Sequence, residues 1–115
     1  MMRVLVCGGR TYNSKAYLTS YLDVFHKMNV ISELAQGGAK GADFLAKEWA
    51  LNNQVPVLTY HADYKYGKVA GPMRNERMLR EFNPDVVIAF PGGYGTFNMI
   101  ALANKAKVKV LKAGE

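Results

Sequence analysis

The chain has one cysteine, Cys7, in 115 residues. An internal disulfide is therefore impossible, and so is a thiolate zinc site built from one chain. Long apolar runs are absent too. Val4-Leu5-Val6-Cys7 is cut off by Gly8, short of the ~7–15 residues of a secretory leader and the ~18 of a spanning helix. The expectation is a soluble, cytoplasmic protein that uses no membrane. Acids are few, 9 against 15 Lys and Arg, for a formal charge of +6. That balance favours an anionic partner without choosing among nucleotides, nucleic acid and membranes. No linker, internal repeat or low-complexity segment interrupts the chain, and half of it is hydrophobic. Residues 1–115 are expected to form one domain with no room for a second.

Short apolar runs alternate with stretches of helical period. Val4–Cys7 reads as a strand buried on both faces and ends in Gly8-Gly9. Asn13 or Ser14 can cap a helix carrying Leu18, Tyr21, Leu22 and Phe25 at i, i+3, i+4, i+7. A weaker strand, Ile31–Ala35, runs into Gly37-Gly38. Ala42, Leu45, Ala46 and Trp49 mark a second helix, with Trp49 in the core. Pro56–Tyr60 is a third strand, followed by a polar, tyrosine-bearing loop from His61 to Gly71. Pro72 suits the first turn of a third helix, whose buried face is Met78, Leu79 and Phe82. Val86–Phe90 is the clearest strand and leads into Pro91-Gly92-Gly93. A fourth helix from about Thr96 to Lys105 and a last strand, Val108–Leu111, complete the pattern. Such alternation predicts an α/β fold: a Rossmann-like, mainly parallel five-stranded sheet with helices on both faces. Ligands of these sheets bind outside the carboxyl ends of the strands. Three of these strands end in glycine pairs on that edge.

Pro91-Gly92-Gly93-Tyr94-Gly95-Thr96 carries the strongest chemical signal. Glycines let a ligand approach the backbone closely, and the following helix presents free N–H groups and a positive dipole end. Thr96 is expected to cap that helix or to donate its hydroxyl to a phosphate. Gly38-Ala39-Lys40 and Asp43 form a second element, in which Lys40 can reach a phosphate and Asp43 ribose hydroxyls. It is not a Walker motif, and no GxGxxG follows the first strand, so the dinucleotide fingerprint is missing. At Gly9-Arg10, the guanidinium can fork onto a phosphate or carboxylate.

Helical spacing puts Asn75 on the buried stripe, where its amide needs partners, and Arg74 beside the same cleft. Between Lys65 and Arg80 five basic residues face one acid, Glu76, a net +4. Arg77 and Arg80 read as a solvated face. Tyr64 and Tyr66 can stack on a base. His61 and Asp63 lack a third ligand, so no metal site is expected, and no cofactor is called for. His26 reads as surface, and Cys7, inside a strand, as inert. No Ser-His-Asp order or carboxylate pair points to catalysis.

Gly8-Gly9-Arg10, Gly37–Asp43 with Trp49-Ala50, Ala70–Asn75 and Phe90–Thr96 together resemble the SLOG superfamily. This Rossmann-like group holds the DNA-processing proteins and the Lonely-guy phosphoribohydrolases. The resemblance is greatest to its small YspA-like, YpsA-related branch, and it spans residues 3–111. It implies a nucleotide-like ligand at the strand ends and a homodimer. The phosphoribohydrolases carry PGGxGTxxE with a catalytic glutamate, where this chain has Met99, a thioether that cannot exchange protons. The expectation is a nucleotide-binding protein, a sensor or a sequestering protein. A nucleoside monophosphate phosphoribohydrolase and a DNA-binding module are the alternatives, with nucleic acid the less favoured partner.

Overall fold

The computed structural model describes residues 1–114. Five strands, β1 (Met2–Cys7), β2 (Ile31–Gln36), β3 (Val57–Thr59), β4 (Val86–Ala89) and β5 (Lys109–Lys112), form one sheet in the order β3-β2-β1-β4-β5. Every neighbouring pair is parallel. The helices are α1 (Lys15–Met28), α2 (Ala42–Asn52), α3 (Ala70–Phe82) and α4 (Tyr94–Lys105). The chain is a Rossmann-like α/β fold.

Period-two alternation in β1 sorts the core into two halves. Val4 and Val6 join Leu18 and Leu22 of α1 and Ala46 and Trp49 of α2 on one face. Leu5 and Cys7 join Met78 and Phe82 of α3 and Met99 and Ala103 of α4 on the other. All four β4 residues are buried, which is why that stretch reads as an unbroken apolar run rather than an alternating one.

The strands lie where the sequence places them, within two residues at each end. Trp49 is core at 3% exposed, and its Nε1 donates to Asp23 Oδ1 at 2.8 Å. His26 departs from expectation: it is half-buried, edge-on to Trp49, and its Nδ1 accepts from the Ile31 amide at 2.9 Å, tying the α1 exit to β2. The loop after β3 holds 3-10 turns from Tyr64 to Val69 running into α3. No helix among the described residues is long and apolar enough to cross a membrane.

Candidate functional site

The chain leaves β1 for the α1/α2 face and leaves β4 for the α3/α4 face, although the two strands are neighbours. A crevice opens at such a switch point, and glycines shape it here. The Gly9 amide donates to Pro91 O at 2.9 Å, fastening the β1–α1 loop to the β4–α4 loop. A methyl group on Gly92 would collide with the Thr96 hydroxyl and lie 2.6 Å from the Gly9 nitrogen. Gly41 has φ +75°, and a Cβ there would fall on Gly9 O. Close approach of three loops thus requires glycine at these positions.

Two helix N-termini open onto the crevice. The first bond inside α4 runs from Phe97 N to Gly93 O at 3.0 Å. The amides of Tyr94, Gly95 and Thr96 therefore have no acceptor within the helix. The helix begins two residues before the expected Thr96, with Gly93 as its N-cap and no side-chain cap bond. Thr96 is therefore not the cap: it sits inside the first turn, 7% exposed, beneath Gly92. In α2 the cap is Gly41, and Asp43 lies in the first turn, 6% exposed. Asp43 Oδ2 accepts from the Ala39 amide at 3.2 Å. Burial pushes the Asp43 carboxyl up to about 6, against the opposing pull of that amide and of Arg74.

α3 joins the two sides. Arg74 Nη1 donates to Gly37 O at 2.5 Å and reaches Tyr60 O at 3.5 Å, while Nε donates to Asn75 Oδ1 at 2.9 Å. The Asn75 amide nitrogen donates to Gly95 O at 3.1 Å and Asn98 Oδ1 at 3.0 Å. The partners that the buried Asn75 needs thus come from the protein, and both of its amide hydrogens are engaged. Arg10 is exposed at the mouth, where Nη2 donates to Tyr64 Oη at 3.1 Å.

These groups surround a cavity of about 370 Å³. Its walls bring together Gly9 and Arg10, Ala39 and Asp43, Arg74 and Asn75, and the run Gly93, Tyr94, Gly95 and Thr96. Other expected residues lie elsewhere. Lys40 is exposed and outside the walls, and Gly38 packs under the His61 ring. Pro91 and Gly92 line a separate groove, with Tyr12, Ser14 and Tyr17. Tyr64 stands at the mouth through Arg10, whereas Tyr66 lies in a separate cleft with His61 and Arg77. Of the basic segment only Arg74 enters the cavity; Arg77 pairs with Glu81, and Arg80 with Glu76 and Glu81.

The walls also include Val6, Cys7, Gly8, Gly37, Gly71 and Met78, which were not among the expected ligand residues. Cys7 had a signal, since it ends the central strand at the ligand-binding edge. Burial pushes its thiol up to about 12, so it stays protonated and is no nucleophile. Met99 is fully buried in the α3/α4 core and not in the cavity wall. The acid that does line the cavity is Asp43. No cluster of three or more His, Cys, Asp or Glu occurs among the described residues.

A family model, that of the YspA, cpYpsA-related SLOG family, matches residues 2–67. The Gene 61 protein of Mycobacterium phage D29 is 35% identical over 125 residues, covering 100% of this chain and 98% of that protein. DNA processing protein A from Streptococcus pneumoniae has a similar fold, with a TM-score of 0.54 at 16% identity. The superposition takes in 97% of this chain and 59% of that one.

Proposed function

This chain belongs to the YspA, cpYpsA-related SLOG family, and from that premise we propose that its cavity binds a nucleotide or nucleotide-derived small molecule, as a sensor or sequestering protein. One observation carries the reading: the free amides of the α4 first turn, Arg10 and Arg74 meet at one concave site on the switch point. A helix N-terminus gains about 0.3–1 kcal/mol per anionic charge at the surface, and up to ~2 kcal/mol when partly buried. A volume near 370 Å³ is at the small end of the ~300–1,000 Å³ of ligand sites, which suits one nucleotide.

In this reading the phosphate rests on the amides of Gly93–Thr96. Arg10 leaves Tyr64 to close on it from the mouth, and Arg74 faces it from α3. Asn75 holds Arg74 and the α4 turn in register without touching the ligand. Ala39 and Asp43 take the sugar. Tyr64, released from Arg10, is placed to cover a base. Lys40, Gly38 and Pro91 support the loops rather than the ligand.

A second reading, hydrolysis of the N-glycosidic bond of a nucleoside monophosphate, is favoured by Asp43 alone. A buried carboxyl raised to about 6 can hold or release a proton near neutral pH. Met99, locked in the core, contributes nothing to it. A strand-binding role, prompted by the name of the DNA processing protein with this fold, has no groove of cations to support it in this cavity.

A thermal-shift panel of nucleoside monophosphates and diphosphates, with product analysis of each mixture, tests all three. The expected result is a ligand that raises the melting temperature and is recovered intact. Free base in the mixture would establish the hydrolase, and a panel with no shift would overturn the binding reading.

A further inference from the structure

Asp43 is the one carboxylate in the cavity wall, and it is 6% exposed. A buried carboxylate has about four lone-pair sites to satisfy, and the fold satisfies few of them. Oδ2 accepts from the Ala39 amide at 3.2 Å, whereas Oδ1 takes no hydrogen bond among the described residues and opens on the cavity. The nearby cations do not fill the gap. Arg74 gives Nη1 to Gly37 O and Nε to Asn75 Oδ1, and Arg10 donates to Tyr64 Oη. Glycine keeps the approach to this carboxylate bare, since a Cβ on Gly37 would lie 3.0 Å from Asp43 Oδ2 and would collide with the Arg74 guanidinium.

An ionised group left this short of partners is costly, and a ligand donor that reaches it gains more than one meeting a neutral acceptor. The donor must be uncharged, because a phosphate beside Asp43 meets a like charge. It must also sit within one small ligand of the α4 amides, because both line the same cavity of about 370 Å³. A sugar next to the phosphate meets both demands. Its vicinal hydroxyls supply two donors side by side, which matches a carboxylate with an empty oxygen and a second only partly used.

We propose that Asp43 makes the cavity selective for ribonucleotides over deoxyribonucleotides, its carboxylate accepting from the 2′ and 3′ hydroxyls of the sugar. This inference rests on the binding reading above and narrows its ligand class. A deoxyribose brings one hydroxyl in place of two and leaves a buried acceptor unmet.

The test is titration calorimetry on the full chain with AMP, GMP, CMP and UMP, each against its 2′-deoxy form. The ribonucleotide of a pair that binds is expected to be tighter by about 10- to 100-fold, the range of one hydrogen bond to a charged group. In Asp43→Asn that ratio should contract toward unity, with the ribonucleotide losing more affinity than its deoxy form. A lower pH should contract the wild-type ratio too, because burial raises the Asp43 carboxyl to about 6. Between about pH 7.5 and about pH 5 it takes up the proton that cancels its charge. The other groups facing it are Arg10, Arg74, the Gly37 and Ala39 amides and the Cys7 thiol, held protonated by burial. His61 belongs to the separate cleft and acts on both ligands alike, as does the phosphate they share. Equal affinities within every pair would overturn the selectivity and leave the cavity reading standing. Equal losses for both members of a pair in Asp43→Asn would set another part of the ligand against the carboxylate and overturn it as well. A wild-type ratio that does not change with pH would also overturn it. Binding of no nucleotide in either form would overturn both proposals together.

Discussion

Desolvation is the largest influence on the Asp43 carboxyl, and it moves the group from 3.8 to about 6. The folded chain therefore holds this proton more tightly than the unfolded chain does. Between about pH 4 and 6 the native state binds more protons, so stability falls as pH rises through that window. Above it, both states are ionised and the full penalty of the buried charge remains, about 3 kcal/mol for a shift of that size. Asp43→Asn is expected to melt higher than the wild type at pH 7.5, because an amide oxygen can still accept from the Ala39 nitrogen. The gap should close below about pH 3, where the wild-type carboxyl is protonated in both states. Melting curves across that range check it, and a gap independent of pH would count against the raised carboxyl. Arg74 allows a second prediction at this scale. Its guanidinium spans Gly37 O and Asn75 Oδ1, a fork that a lysine ammonium does not reproduce. Arg74→Ala is expected to weaken nucleotide binding by about 1.5–3 kcal/mol, the range of a charge-assisted contact. Arg74→Lys should recover only part of that loss. Calorimetry showing wild-type affinity in Arg74→Ala would remove Arg74 from the site, and full recovery in Arg74→Lys would show that the fork is not needed.

At the scale of elements, the fold was legible because β-strand and helix periods are local. Val86–Ala89 announces a two-sided strand by composition alone, and Leu18 with Leu22 fixes the inward face of α1. The site was less legible, because its geometry depends on contacts between distant loops. Asn75 shows this well: spacing placed it on the buried stripe, but Asn98 and Gly95 as its partners follow only once α3 lies beside α4. The α4 boundary was misplaced for a related reason. Thr96 looks like a cap, yet the glycine-rich turn lets the helix begin at Tyr94 and tucks the threonine under Gly92. Lys40 lies in the turn before the Gly41 cap, exposed and outside the cavity walls, a placement that glycine-rich spacing does not encode. The α4 turn yields a paired prediction. Gly92→Ala forces a methyl onto Thr96 and the Gly9 nitrogen, so it should lower the melting temperature and detach the two loops. Gly95→Ala meets nothing within 4 Å and lies inside the helix. It should stabilise the fold by about 0.5–1 kcal/mol, while crowding the phosphate position and weakening nucleotide binding. Thermal melts with and without nucleotide separate the two; a Gly92→Ala variant as stable as wild type would contradict the loop contact.

Over the whole molecule, a charge of +6 invites the idea of a polyanion partner. The arrangement of those charges argues otherwise. Arg77 and Arg80 are bridged to acids of their own helix, Arg3 to Glu33, and Lys65 lies near Asp63. At the sheet edge where ligands enter, the cations lining the cavity are Arg10 and Arg74, at one concave spot rather than along a track. A strand of nucleic acid held by two such contacts would show a log-affinity slope against log salt of only about −1.4, and lengthening it would recruit little more. Proteins built for single strands behave differently: cations track the backbone and aromatics stack successive bases over ~4–16 nucleotides, so affinity grows with length and falls steeply with salt. The expectation for this chain is that anisotropy titrations with labelled oligonucleotides of 4 and 16 nucleotides give equal, weak affinities at 50 mM salt. A mononucleotide should compete fully with either strand, because one cavity serves all three. Affinity that climbs with length and collapses between 50 and 200 mM salt would mean that the dispersed lysines act together after all. The cavity would then be incidental to a nucleic-acid surface.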